Sequence, residues 1–415
     1  MRVSRALTTS GLFMTLVAVA NGALGYIFQI LMGRNLSPQE FALFGALMAV
    51  TVFFVSPFHA LSTIIVREIA STLVLRDRSS IWPKYVRMGA ALFVLGLALL
   101  VVSLIGANYF TTLVAGSQSF EFFLIALCIN GTIFGMLNNA FLQGAKEFKH
   151  LALSGLATVT LKIFISVTLV TFGFGVIGAL TGVAASVILV NVFIFSIIRT
   201  IFKNQTGYEN LESPDTAFNM SKFFPILFAH ISLALITQLD VFLINNIFES
   251  EIAGAVAVAA VLAKAILYLP SGIVLVLLPM VAESTPERSH LIRLLTTSLV
   301  LVLSMSLLAT IFYWLFGHLI VDLLFGAAYT NAGDILGYYS LAMVPLAVVV
   351  SMEYFLMARG YVVYAWLTTV FAPIEIALLM HTKSNVLNFV AIIGLSNLIL
   401  MIFGGVVTYI LLFKK

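Results

Sequence analysis

The chain has 415 residues, 61% of them hydrophobic, with a mean hydropathy of +1.13 and 9% charged residues, against about 25% in an ordinary soluble domain. A soluble protein of this length has no interior for so much apolar surface, so the composition excludes a soluble enzyme or binding module and indicates a polytopic membrane protein. The net charge of +4 and pI of about 9.1 come without a basic stripe interleaved with aromatics, which argues against a nucleic-acid partner, and the single cysteine, Cys128, excludes a disulfide framework or a cysteine-rich metal site.

Apolar runs separated by polar breaks predict about twelve membrane-spanning helices. In the first half they cover residues 7–32, 40–66, 86–108, 120–142, 150–172 and 176–200. In the second they cover 222–247, 252–282, 291–316, 332–357, 361–381 and 387–412. Arg2 and Arg5 precede an apolar segment longer than a signal-peptide core, so no cleavable leader is expected. With the N-terminus in the cytoplasm, seventeen of the lysines and arginines fall on the inner side. Only Arg34 and Lys383 fall outside, and Lys162 and Lys264 lie within helices. That asymmetry satisfies the positive-inside rule and places both termini in the cytoplasm.

The longest polar insertion, residues 203–221, separates an N-lobe (1–202) from a C-lobe (222–415) and reads as a cytoplasmic linker. The lobes look like a repeat. The block ending at Pro57 resembles the block ending at Pro270, an offset of 213, and Phe141-Leu142 finds Phe355-Leu356 at 214. Six-plus-six repeats of one membrane orientation are related by an axis along the membrane normal, with substrate held between them.

Five formal charges remain within spans: Lys162, Asp240, Lys264, Glu353 and Glu375. Charge at membrane depth faces a bundle interior or a wet cavity. Ser154, Thr158, Lys162 and Ser166 recur at i, i+4 on the fifth helix, and Lys264, Tyr268 and Ser271 do so on the eighth. Ser56, His59, Thr63 and Arg67 share a face of the second. Such stripes either line a hydrated cavity for a polyhydroxylated ligand or bond back to their own helices. Glu353 either pairs with Arg359 or snorkels toward the cytoplasm. Asp240 and Lys264 look like an ion pair between adjacent helices. The topology map sets them at different depths, however, which assigns cation coupling to Asp240 and substrate contact to Lys264. A lysine is a suitable point charge for a phosphate, and Lys162 in the N-lobe fills that role as well.

Residues 33–50 (GRNLSPQEFALFGALMAV), the block 240–284 and LLFGAAYTNAGDIL at 323–336 resemble the polysaccharide-export (Wzx-type) branch of the MOP superfamily, the lipid-linked oligosaccharide flippases. The resemblance implies two six-helix lobes in a V shape, as in MATE and MurJ proteins, working by alternating access. It implies movement of an undecaprenyl-pyrophosphate-linked oligosaccharide, such as an O-antigen repeat unit, from the cytoplasmic to the outer face, alongside other polysaccharide-assembly proteins. It further implies that Lys162, Lys264 and, near the outer mouth, Arg34 hold the anionic lipid-linked sugar. Asp240 and Glu375 would bind a coupling H+ or Na+, with no other cofactor. The count of twelve helices departs from the fourteen of MurJ.

Two other readings remain. A MATE-like cation-coupled drug exporter shares the architecture, but its cavity should be acidic and aromatic, and two mid-depth lysines argue against it. A membrane glycosyl polymerase or ligase needs acid and base residues at an outer-face site, and no outer loop is long enough to carry one. With no P-loop or nucleophile elbow in the sequence, the chain reads as a transporter and not as an enzyme.

Overall fold

In the computed structural model the described residues are 2–74, 79–203, 220–268, 288–358, 363–382 and 385–413. Among them every regular element is helical, as a chain in lipid requires, because a helix satisfies its backbone hydrogen bonds internally. Twelve α-helices follow in order: α1 (Arg2–Asn35), α2 (Pro38–Val74), α3 (Ile81–Leu113), α4 (Ser119–Gly144), α5 (Phe148–Leu169) and α6 (Gly175–Phe202). After them come α7 (Met220–Ile247), α8 (Ser250–Ala263), α9 (Arg288–Leu324), α10 (Ala332–Ala358), α11 (Val363–Met380) and α12 (Val386–Phe413).

Among the described residues ten helical stretches are long and apolar enough to cross a membrane; one of them, Phe148–Phe202, contains both α5 and α6, and the shorter Trp366–Met380 lies in α11. Several helices outrun the apolar segments that announce them. The sequence predicts a second span ending at 66, whereas α2 continues to Val74 through Arg67 and Glu68. The polar turns beyond the apolar run stay helical, and Glu68 takes an ion pair from Lys84 at 3.0 Å.

Helix starts follow local chemistry. Ser37 precedes Pro38, the favoured first helical residue. The Ser37 N–H donates to Glu40 Oε2 at 2.9 Å and the Glu40 N–H donates to Ser37 Oγ at 3.3 Å, a capping box. Gln118 and Glu121 build the same device at α4.

The chain divides into two compact units. The first comprises Met1–Leu36 and Val50–Phe223. Its helices α5 and α6 meet through a π-helical turn, Val170–Phe174, in which Gly173 takes φ 89°. They then run so close that a Cβ on Gly182 would lie 2.4 Å from the Ser166 nitrogen. Ser166 Oγ donates to the Ala179 carbonyl at 3.0 Å across the same contact, the small-residue packing expected where lipid supplies no hydrophobic drive between helices. A polar chain ties two more helices, α3 and α4, to α6. Tyr85 OH donates to Asn138 Oδ1 at 2.7 Å, Asn138 Nδ2 to Asn191 Oδ1 at 3.2 Å, and Asn191 Nδ2 to the Gly131 carbonyl at 2.6 Å.

The second unit comprises Ser37–Ala49 and Phe224–Lys415. The start of α2 therefore packs with the C-terminal residues: Phe41 lies edge-on to Phe325 and Tyr329, at centroid distances of 5.8 and 6.1 Å. A Cβ on Gly254 would come within 2.4 Å of Pro38. In this unit α10 is the core helix, with 78% of its apolar window buried, whereas α9 has 17% and so presents most of its surface outward.

Candidate functional site

The strongest concentration of charge lies in the second unit. Lys264 begins a five-residue 3-10 turn, Lys264–Tyr268, that follows α8. Its Nζ donates to Asp240 Oδ1 of α7 at 2.6 Å and to the Thr237 carbonyl at 2.6 Å. The pair is enclosed, with side-chain exposures of 11% and 4%. From α10, the Tyr339 hydroxyl donates to Asp240 Oδ2, so each carboxylate oxygen has its own donor. That satisfaction is what a buried charge needs to persist. Glu375 of α11 is also buried and interacts electrostatically with both Asp240 and Lys264.

The fold brings α11 there through a second contact. Ser232 of α7 and Thr368 of α11, both fully enclosed, share a hydrogen bond of 2.8 Å. About two turns further along each helix stand Asp240 and Glu375. The cluster therefore holds one ammonium and two carboxyl groups. Counted as ions they sum to a single negative charge. Among the described residues there is no group of three or more His, Cys, Asp or Glu of the kind that holds a metal ion.

Two expectations change here. Asp240 and Lys264, assigned separate tasks by depth, are direct partners. Lys264 and Tyr268 do not share a face either, since Tyr268 is 63% exposed while Lys264 is enclosed. A 3-10 turn has three residues per turn, so an i, i+4 pair on it diverges by roughly 120°. Ser271, the third member of that stripe, lies outside the described residues.

In the first unit Lys162 stands half-buried on α5, with Nζ 4.3 Å from the centroid of the Phe28 ring of α1, a cation–π contact. Among the described residues it has no carboxylate within ion-pair reach. Thr158, one turn before it, donates to the Ser154 carbonyl at 2.7 Å, so this hydroxyl bonds back to its own helix. His59 is exposed on α2, and Arg34 is exposed in the last turn of α1, where a cation meets the negative end of the helix dipole. Arg359, the expected partner of Glu353, lies outside the described residues.

Sequence reasoning missed Tyr339, a fully buried residue that completes the Asp240 shell. Its signal was weak: it carries no formal charge, and it follows a second tyrosine, Tyr338, that is 49% exposed.

A family model described as polysaccharide biosynthesis protein matches residues 7–285. The chain belongs to that family. Its fold recurs in solved transporters of the MOP superfamily. An inward-facing multidrug resistance MATE family transporter gives a TM-score of 0.74 at 14% identity, with 94% of each chain covered. The lipid II flippase MurJ in an inward closed conformation gives 0.71 at 14% identity, covering 95% of this chain and 86% of that one. The bent form of the Vibrio cholerae MATE transporter VcmN gives 0.62 at 14% identity, covering 99% and 98%. At such identity these likenesses establish the fold. A comparison with curated proteins by sequence finds no match. The family is one of polysaccharide biosynthesis, and the fold is one shared with multi-pass membrane transporters.

Proposed function

We propose that this member of the polysaccharide biosynthesis protein family flips an undecaprenyl-pyrophosphate-linked oligosaccharide, an O-antigen or similar surface-polysaccharide repeat unit, from the cytoplasmic to the outer face of the inner membrane. The family match over residues 7–285 is the observation that carries this reading. The fold shared with a protein described as a lipid II flippase supports it. The chain would work by alternating access with both termini in the cytoplasm, handing its product to other polysaccharide-assembly proteins.

The two lysines now take different parts. Lys264 is neutralised by Asp240, so its charge is not available to a pyrophosphate while that pair holds. Lys162 lies over the Phe28 ring with no carboxylate in ion-pair reach among the described residues, and is the better candidate for the anionic head group. The Asp240–Lys264–Glu375 cluster, one positive charge short of neutrality, suits a coupling site for a single H+ or Na+. Lys264 then acts as a tethered cation that Asp240 releases or keeps according to whether the mobile ion is present.

The test is deletion of the gene followed by measurement of undecaprenyl-linked oligosaccharide on the cytoplasmic side. Accumulation that is cured by the wild-type chain supports the reading. Unchanged surface glycan together with altered drug sensitivity would assign the chain to the exporters, whose fold it also shares.

A further inference from the structure

Glu353 stands near the end of α10, on the same face as Tyr339. The two are fourteen residues apart, roughly 21 Å along the helix axis and within about 40° of one another around it. Met343, Leu346 and Val350 fill the interval, all buried. No chain of polar side chains on this face joins Glu353 to the Asp240 cluster, so the two sites are separate.

The carboxyl group of Glu353 is 1% exposed, and neither Oε1 nor Oε2 has a hydrogen-bond partner. Among the described residues none of the titratable groups on the elements packed around α10 hydrogen-bonds the Glu353 carboxyl. Arg293 of α9, Tyr268 of the 3-10 turn and Tyr409 of α12 are exposed. Lys264 belongs to Asp240, and Glu375 of α11 lies in that same cluster. Tyr354, the next residue on α10, is 37% exposed and interacts electrostatically with Glu353 and Tyr268 but gives the carboxyl no hydrogen bond. Ser351 donates to its own helix at Ala347. Among the described residues nothing supplies the charge or the donors that an ionised carboxylate requires in an apolar interior. A metal cation would need several oxygen ligands at this point, and the described surroundings offer none beyond the carboxyl itself.

We propose that Glu353 is a proton-binding site of the C-terminal unit: its carboxyl carries one proton while enclosed as seen here, and passes it to water, leaving a carboxylate, when water reaches this end of α10. The proposal is independent of the substrate assigned above. It gives the protein a second place, apart from the Asp240 cluster, where a proton is taken up and released.

Infrared spectroscopy of the purified full-length protein tests it. The difference between wild type and Glu353→Gln should show loss of one carbonyl stretch characteristic of a protonated carboxylic acid. That band should shift in D2O, and the thermal unfolding midpoint should be unchanged or raised. If Glu353→Gln does not fold, Glu353→Leu serves as the reference, because a leucine brings neither charge nor polar atoms into an apolar site. Loss of the carboxylate stretches instead, in either variant, would mean that Glu353 is ionised and held by a cation or an arginine, and would overturn the proposal. Persistence of the protonated band in both variants would overturn it too.

Discussion

Asp240 and Lys264 meet although their positions, on α7 and just past the end of α8, differ in level. Asp240 is seven residues from the end of α7 at Ile247, and Lys264 is fourteen beyond the start of α8 at Ser250, a difference of roughly 10 Å along the axes. Side chains on a helix lean toward its N-terminus. Lys264 therefore leans back toward the α7–α8 connection, and Asp240 leans away from it. The two lean toward each other, the long lysine stem spans the rest, and Nζ reaches Oδ1 at 2.6 Å.

Breaking that pair from one side leaves a buried charge without a partner. Lys264→Met and Asp240→Asn should each lower stability by about 3–5 kcal/mol. The double variant should recover much of that loss, because no orphan charge remains. Thermal unfolding of the three variants in detergent reads the cycle, and additive losses would show that the pair is not coupled.

Tyr339→Phe removes one donor from Asp240 and nothing else. The expected cost is about 1.5–3 kcal/mol, as for a hydrogen bond to a charged group. If the cluster couples transport to an ion, the variant should also shift the ion concentration that gives half-maximal transport. A shift in stability alone would confine Tyr339 to a structural role.

Two glycines separate close packing from open space. A Cβ at Gly182 meets the Ser166 backbone, whereas one at Gly25 meets nothing within 4 Å. Gly182→Ala should therefore lose about 1–3 kcal/mol, and Gly25→Ala in α1 should gain about 0.5–1 kcal/mol. A melting temperature that does not fall for Gly182→Ala would contradict the α5–α6 contact described above.

Lys162→Gln should cut complementation of a deletion strain by roughly tenfold or more, equivalent to about 1.4 kcal/mol of lost interaction, with Lys162→Arg retaining most activity. The readout is surface glycan together with inner-face lipid-linked oligosaccharide. Normal transport by Lys162→Gln would remove this residue from the substrate site.

The helices were legible because a spanning segment must be apolar for its whole length, and no other feature of a sequence produces that pattern. Their ends were less so. Arg67 and Glu68 close the apolar run of α2, yet the helix needs only satisfied backbone groups to continue to Val74. The embedded charges of the C-terminal unit were visible one by one. Their partnership was not, since depth was judged from backbone positions while the contact is made by side chains leaning in opposite senses. The Lys264–Tyr268 stripe failed for a different reason: helical spacing assumes 3.6 residues per turn, and the chain tightens at that point. Tyr339 carries no charge to draw notice, and only its burial beside Asp240 singles it out.

The point where the chain tightens is held from outside the cluster. The hydroxyl of Tyr313, on α9, donates to the Leu262 carbonyl at 3.0 Å, two residues before Lys264. α9 is the helix of this unit that buries little of its apolar surface, so in a membrane its other flank is solvated by acyl chains. The backbone that aims the ammonium is thus anchored to a helix whose tilt answers to bilayer thickness. The Tyr313 phenol is one link from that helix to the charge cluster, and acyl length becomes a physical variable of the ion pair.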